Sequence, residues 1–303
     1  MNSDNSSLDV ALLSPPSGPQ FDGAQRAQII SEVLPYLRRW HGQTVVIKYG
    51  GAAMTEESLK AQVMGDIALL HYAGVKPVVV HGGGPEISQA CRQMGIEPQF
   101  VGGLRVTDEA TMRVTEMVMG QIGKSIAQLL NEKGAPAVGL SGKDANLLQS
   151  SKLQGEHDWG LVGEINHVDA TILNSLTQGG FVPVVTPISP GEGGATYNIN
   201  ADFAAAALAT ALGASKLLLL TDVPGIYRDF SDQDSLLDQL TTGEAEALIE
   251  SGAVSRGMIP KVRCCINAVR DGVSRAHIVD GRAPHAILIE LFTEQGCGTM
   301  ISH

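Results

Sequence analysis

Four consecutive leucines, Leu217–Leu220, set between Lys216 and Thr221, leave no alternation from which a solvated strand face could be made. A strand built from them is covered on both sides, as in a mostly parallel sheet between helical layers. Around this KLLLLTD run at 216–222 the chain repeats the pattern with TVVIK at 44–48, VKPVVV at 75–80, APAVGL at 135–140, FVPVVTPI at 181–188 and RAHIVDG at 275–281. Segments of helical period lie between most of these. Leu59, Val63, Ile67 and Leu70 form one stripe closed by Gly74; Val118, Ile122, Ile126 and Leu129 form a second closed by Gly134; the Ala-rich stretch from Asp202 to Leu212 stops at Gly213. The order predicts an α/β fold with a mostly parallel central sheet. A change of style near Gly213 suggests a domain boundary there.

Composition narrows the function. With 44% hydrophobic and 17% charged residues among 303, the chain reads as an ordinary soluble protein. A formal net charge of -11 repels nucleic acid and anionic membranes on average, so an anionic substrate has to meet locally concentrated cations. Cys91, Cys264, Cys265 and Cys297 contain no CxxC pair, which points to reduced thiols in the cytoplasm. Residues 1–23, opening MNSDNSSLDVALLSPPSGPQ, read as a disordered tail with neither signal-peptide nor transit-peptide character. No apolar run approaches the ~18 residues of a membrane span.

Open sheets of this kind bind ligands beyond the carboxyl ends of their strands, where the glycine-rich turns fall. Lys48-Tyr49-Gly50-Gly51 follows the first strand and sets a point charge beside backbone that can approach phosphate closely, although the same residues also make plain turns. His81-Gly82-Gly83-Gly84-Pro85 joins a strand to a helix, so unobstructed amides face whatever lies over the helix N-terminus. A tight turn needs fewer glycines than that. His81 itself reads as a structural hydrogen-bonding residue rather than a base. In Asn198-Ile199-Asn200-Ala201-Asp202 one polar side chain suffices to cap the following helix, and the others are surplus to capping. Lys261, in Gly257-Met258-Ile259-Pro260-Lys261, would alone be a surface charge. Two familiar nucleotide signatures fail: a dinucleotide fingerprint would need a small residue at Ile87, and a P-loop ending in Gly123-Lys124-Ser125 would need glycine at Val118.

Together, VVIKYGGAAM, VVVHGGGPEI, GLRVTD, YNINAD, LLLLTDVPGI and GMIPKV resemble the amino acid kinase family, in the branch whose acceptor is N-acetyl-L-glutamate, over residues 25–303. The resemblance implies a three-layer αβα sandwich with two lobes, residues 42–213 for the acyl substrate and 214–303 for ATP. Lys48 and Lys261 would stabilise the transferring phosphoryl group, and Asp202 would orient both. Gly83, Gly84, Arg105 and Asn198 would bind the acyl substrate, with the Arg105 guanidinium giving two parallel donors to its α-carboxylate. Gly50, Gly51, Thr221, Asp222, Gly225, Gly257 and Met258 would line the ATP site, with Mg2+ held by ATP rather than by the protein. A carboxylate nucleophile with a pKa of about 4 is already ionised at neutral pH, so no general base is required. Two segments depart from the family pattern: MGQIGKS at 119–125 puts the stability of its helix in doubt, and SKLQGEHD at 151–158 resembles a variable hairpin. Neither is expected to touch the site.

Residues 24–41 form a helix outside the sandwich, with Ile30, Val33, Leu34 and Leu37 on one stripe and Pro35 expected to kink it. In the resemblance such a helix joins three dimers into a homohexamer. L-Arginine then inhibits by binding near Tyr36, Lys216, His277, Glu290 and Gly296. Photosynthetic members of the family that the chain resembles bind the nitrogen-signalling PII protein, which relieves the inhibition; the sequence does not tell whether this chain is one of them. The competing readings are another member of the family, acting on aspartate, glutamate, uridylate or carbamate, and a non-catalytic amino-acid sensor; retention of both lysines with Asp202 argues against the sensor.

Overall fold

The computed structural model describes residues 21–303 except positions 55, 230 and 256. Most of the tail read from the sequence therefore lies outside the described residues. In chain order the elements are α1 (Gly23–Trp40), β1 (Thr44–Tyr49), α2 (Glu57–Tyr72), β2 (Lys76–His81), α3 (Gly84–Gln93), β3 (Phe100–Val101), β4 (Leu104–Arg105), α4 (Glu109–Glu132) and β5 (Ala137–Ser141). There follow β6 (Leu148–Lys152), β7 (Gly163–Val168), α5 (Thr171–Gln178), β8 (Val182–Thr186), β9 (Ile188–Pro190), β10 (Thr196–Asn198), α6 (Ala201–Ala211) and β11 (Lys216–Thr221). The chain closes with β12 (Gln239–Thr241), α7 (Thr242–Glu250), α8 (Ile259–Arg270), β13 (Arg275–Asp280), α9 (Ala286–Phe292) and β14 (Gly298–Ser302). The described residues up to Pro35 make one compact unit and those from Tyr36 onward another.

The larger unit is built on an eight-stranded sheet in the order β12-β14-β13-β11-β1-β2-β8-β5, parallel except where β14 runs against β13. All six strands expected from the sequence lie in it. The leucine run is covered on both sides. Leu217 and Leu219 enter one core with Val46, Val78, Val80 and helix residues such as Leu208 and Val262, while Leu218 and Leu220 enter the other with Val45, Ile47, Val79, Ile67 and Leu130. Helices thus cover both faces, the αβα arrangement expected. The boundary expected at residue 213 falls just before β11, which pairs in parallel with β1. Among the described residues no helix is long and apolar enough to cross a membrane, and the four cysteines are free thiols.

Two expectations need correction. The glycine-rich stretch at 119–125 does not interrupt its helix: α4 runs unbroken from Glu109 to Glu132. A Cβ at Gly123 would stand 2.7 Å from Thr186 Oγ1 and 3.0 Å from His81 Nε2, so glycine there lets α4 lie directly on the ends of β2 and β8. The close approach offsets the low helix propensity. Nor is that segment remote from the glycine turn, because a Cβ at Gly83 would stand 2.5 Å from Met119 Sδ. The hairpin expected at 151–158 is present: 151–152 end β6, which pairs antiparallel with β7, and 153–158 belong to the connection between them, 153–162.

Candidate active site

The carboxyl ends of β1 and β2 bring the two glycine turns together, as the sheet order requires. Lys48, the penultimate residue of β1, turns a nearly buried side chain toward α6, where its Nζ lies 3.1 Å from Asp202 Oδ1. From the first turn of α8, Lys261 Nζ lies 2.6 Å from Asp202 Oδ2. One carboxylate therefore holds two ammonium groups, one on each oxygen. Capping of α6 belongs to Asn200, whose Oδ1 accepts from the Asp202 amide at 2.8 Å and the Phe203 amide at 3.4 Å. Asp202 is thus free of the capping role. Burial alone would raise its pKa, but the charges of Lys48 and Lys261 outweigh burial and hold the carboxyl below the usual carboxylate range.

Arg105 ends β4 and is buried, its guanidinium stacked 4.7 Å from the centre of the Phe100 ring. Nη2 donates to the Gly84 carbonyl and to Ser88 Oγ, each at 2.8 Å, while Nη1 is buried without a hydrogen-bond partner among the described residues. A buried donor left unpaired is costly, so Nη1 is available to an anionic group that enters the cleft. The two-pronged grip expected from the sequence would require Nη2 to release Gly84 or Ser88. Asn198, at the end of β10, donates from Nδ2 to Thr107 Oγ1 at 3.4 Å.

Lys48, Gly50, Gly51, Gly83, Gly84, Arg105, Asn198, Asp202 and Lys261 all line one cleft of about 270 Å³, together with Met119 and Val162. Of the two segments set apart from the site in the sequence reading, 119–125 reaches the cleft through Met119, while no residue of 151–158 lines it. A larger cavity of about 500 Å³ lies beside it between β7, α6 and α8, and among the described residues no lysine or arginine lines it, in contrast to the cleft with its two lysines and Arg105. Of the expected nucleotide-binding residues, Thr221, Asp222, Gly225, Gly257 and Met258 do not line the charged cleft. Thr221 ends β11, and Asp222 abuts Gly51, whose φ of +69° and contact with the Asp222 carboxylate exclude any side chain. Gly225 packs on Thr299 of β14, and Met258 is buried at the N-terminus of α8.

A second charged cluster is buried in the other part of the sheet. Glu290 Oε1 lies 2.7 Å from His277 Nδ1 and 3.5 Å from Lys216 Nζ, and Oε2 accepts from the Cys297 amide at 3.1 Å. A Cβ at Gly296 would stand 2.8 Å from Glu290 Oε2. Burial pushes Lys216 down to about 8 against the pull of Glu290. Lys216 also stands 5.0 Å from the centre of the Trp40 ring. Tyr36 packs, half-buried, on the same core that Trp40 and Leu291 share. Four of the five residues expected at an effector site thus touch one carboxylate or are that carboxylate.

Sequence reasoning missed Ser88 and Phe100 as supports of Arg105. Ser88 falls one turn after Gly84 in α3, a spacing that offered a signal; Phe100 is brought in by the β3–β4 hairpin, which local sequence did not announce.

Comparison with known proteins follows the same line. The model of the amino acid kinase family matches residues 43–280. The acetylglutamate kinase of Thermosynechococcus vestitus is 51% identical over 279 residues, covering 92% of this chain and 94% of that protein. Among solved structures, N-acetylglutamate synthase from Neisseria gonorrhoeae complexed with coenzyme A and N-acetyl-glutamate superposes with a TM-score of 0.81 at 28% identity. The match covers 91% of this chain and 63% of the synthase chain, so the synthase extends well beyond it. The same synthase complexed with coenzyme A and L-arginine gives a TM-score of 0.77 at 27% identity, with coverage of 91% and 65%.

Proposed function

The chain belongs to the amino acid kinase family, and from that premise we infer that it transfers the γ-phosphoryl group of ATP to the γ-carboxylate of N-acetyl-L-glutamate, giving N-acetyl-L-glutamyl 5-phosphate on the route to arginine. The observation that carries this reading is the pair of ammonium groups held on Asp202, facing the glycine turns across one cleft. The acceptor carboxylate, with a pKa of about 4, attacks without a base. Its difficulty is electrostatic, since nucleophile and phosphate repel each other. Catalysis consists of aligning the two and neutralising charge on the phosphoryl oxygens. Lys48 and Lys261 supply that charge, the amides of Gly50, Gly51, Gly83 and Gly84 add donors, and Arg105 Nη1 with Asn198 holds the acyl substrate. Among the described residues no group of three or more His, Cys, Asp and Glu side chains is placed to hold a metal. Mg2+ fits here as the companion of the ATP phosphates, where it supplies further positive charge.

The acceptor panel tests the reading. ADP release with N-acetylglutamate, and none with glutamate, aspartate or bicarbonate plus ammonia, is the expected result. Activity on another acceptor in preference would replace it. Arg105→Lys is expected to raise KM for the acyl substrate about tenfold or more and leave KM for ATP nearly unchanged, because a point charge cannot replace the planar guanidinium. Equal effects on both KM values would remove Arg105 from the acyl site.

Regulation by L-arginine through a homohexamer is part of the same proposal, favoured by the arginine-complexed synthase of the same fold. Ile29, Ile30 and Leu34 are exposed at 44%, 68% and 53%, apolar surface that a second copy of α1 would cover. An arginine guanidinium reaching Glu290 meets a carboxylate with three partners already and has to displace one. Glu290→Ala should keep the hexamer and raise the arginine concentration needed for inhibition. Truncation should end at Pro35, since Trp40 is buried and its Nε1 donates to the Leu291 carbonyl at 2.7 Å. The truncated protein should be an active dimer that responds weakly to arginine; a native dimer, or a native enzyme indifferent to millimolar arginine, would end this part of the account. PII binding, read by pull-down at low 2-oxoglutarate, belongs to the same proposal.

A further inference from the structure

His81 stands just outside the cleft, and its ring joins two elements that the phosphoryl clamp does not connect. Nδ1 lies 2.8 Å from the carbonyl oxygen of Gly82, and Nε2 lies 2.8 Å from Thr186 Oγ1 at the end of β8. A carbonyl can only accept, so Nδ1 carries the proton; Nε2 of the neutral ring then accepts the Thr186 hydroxyl hydrogen. The chemistry of the two partners fixes the tautomer. The ring is fully buried, and burial lowers its pKa to about 4, so it stays neutral at the pH where a carboxylate kinase works.

The Gly82 carbonyl is thereby held against the strand. The Gly82 amide is fastened as well, donating to the Tyr49 carbonyl at 2.8 Å. In a trans peptide the C=O and N–H point opposite ways, so holding Gly82 oxygen toward His81 directs the Gly83 amide away from the ring; Gly82, Gly83 and Gly84 all line the cleft. Glycines on both sides of that peptide would otherwise let it turn over. Gly83 and Gly84 are the N-cap and first residue of α3, where amides have no intrahelical acceptor.

We propose that His81 is a positioning residue: its Nδ1–H, donated to the Gly82 carbonyl, locks the Gly82–Gly83 peptide so that the Gly83 amide faces the phosphoryl group in flight, and Thr186 holds the ring in the tautomer this requires. The proposal rests on the phosphoryl-transfer reading of the cleft.

Asparagine can place an N–H near the position of Nδ1, whereas glutamine reaches toward Nε2, so the two substitutions separate the contacts. His81→Gln should lower kcat on the order of tenfold to a hundredfold, somewhat less than loss of a whole oxyanion donor, with KM for ATP within about twofold. His81→Asn should recover most of that rate. Ring nitrogen NMR of the full wild-type chain should show a protonated Nδ1 and a bare Nε2, a readout that stands even where a variant fails to fold. A proton on Nε2, a folded His81→Gln enzyme with normal kcat, or equal loss in both variants would each overturn the proposal. Wild-type turnover with N-acetylglutamate, measured alongside, distinguishes the two failures. Its absence removes the underlying reading, and its presence beside an unaffected His81→Gln removes only the role of His81.

Discussion

Lys48→Ala and Lys261→Ala are each expected to lower kcat on the order of 10² to 10³-fold, the effect of deleting one donor that stabilises a developing oxyanion. KM should move far less. The reason lies in the shared carboxylate: with Lys48 at 3.1 Å and Lys261 at 2.6 Å from the two oxygens of Asp202, the resting charges largely satisfy one another. Bound ATP gains little from them until charge builds on the transferring group, so their effect falls on the transition state. The two substitutions act on one unit, so the double variant should lose less than the product of the single losses. Initial rates against both substrates decide the matter. Near-normal turnover in both single variants would remove the lysines from catalysis.

Asp202→Asn should cost both rate and stability. The side chain is nearly buried, and its neutral replacement leaves two ammonium groups facing each other without a counter-charge. Removing one partner of a buried pair costs about 3 to 5 kcal/mol; partial exposure of Lys261 places this case at the lower end, about 3 kcal/mol. The sign of the pH dependence follows from the depressed pKa of Asp202. An unfolded aspartate titrates near 4, so the triad's contribution is complete above that pH and lost as pH falls through the lower native value. Wild type and Asp202→Asn should therefore differ most in thermal midpoint near neutrality and converge in acid. A gap that is constant with pH would show that the carboxylate is not the source of the difference.

The sheet was legible because burial on both faces writes itself into the sequence as unbroken apolar runs, Leu217–Leu220 above all. The strands that escaped notice lacked that signature. β12 has three residues, and β14, GTMIS, buries only Thr299 and Ile301. The glycines of α4 misled for a related reason: local propensity counts Gly123 against the helix, while the contact with His81 and Thr186 that requires it joins residues far apart in the chain. The same limit applies to the site. The turns at Gly50 and Gly83 could be read as phosphate-approaching backbone from their place after strands, but the meeting of Lys48, Asp202 and Lys261 spans most of the chain and was reached only through the family resemblance. Arg105 was anticipated as an anion-binding guanidinium. Its engagement with Gly84 and Ser88, which leaves Nη1 as the free donor, required the packing of β4 against α3.

The central claim is that the cleft joins ATP phosphate to a carboxylate oxygen of N-acetyl-L-glutamate. Hydroxylamine converts an acyl phosphate to a stable hydroxamate, so the full chain with ATP, Mg2+, N-acetyl-L-glutamate and hydroxylamine reads that bond directly. The account predicts ADP and the γ-hydroxamate of N-acetylglutamate in equal amounts, with neither formed in the Lys48→Ala, Lys261→Ala double variant over the same period. ADP released without hydroxamate, or hydroxamate formed equally well from glutamate or aspartate, would contradict it.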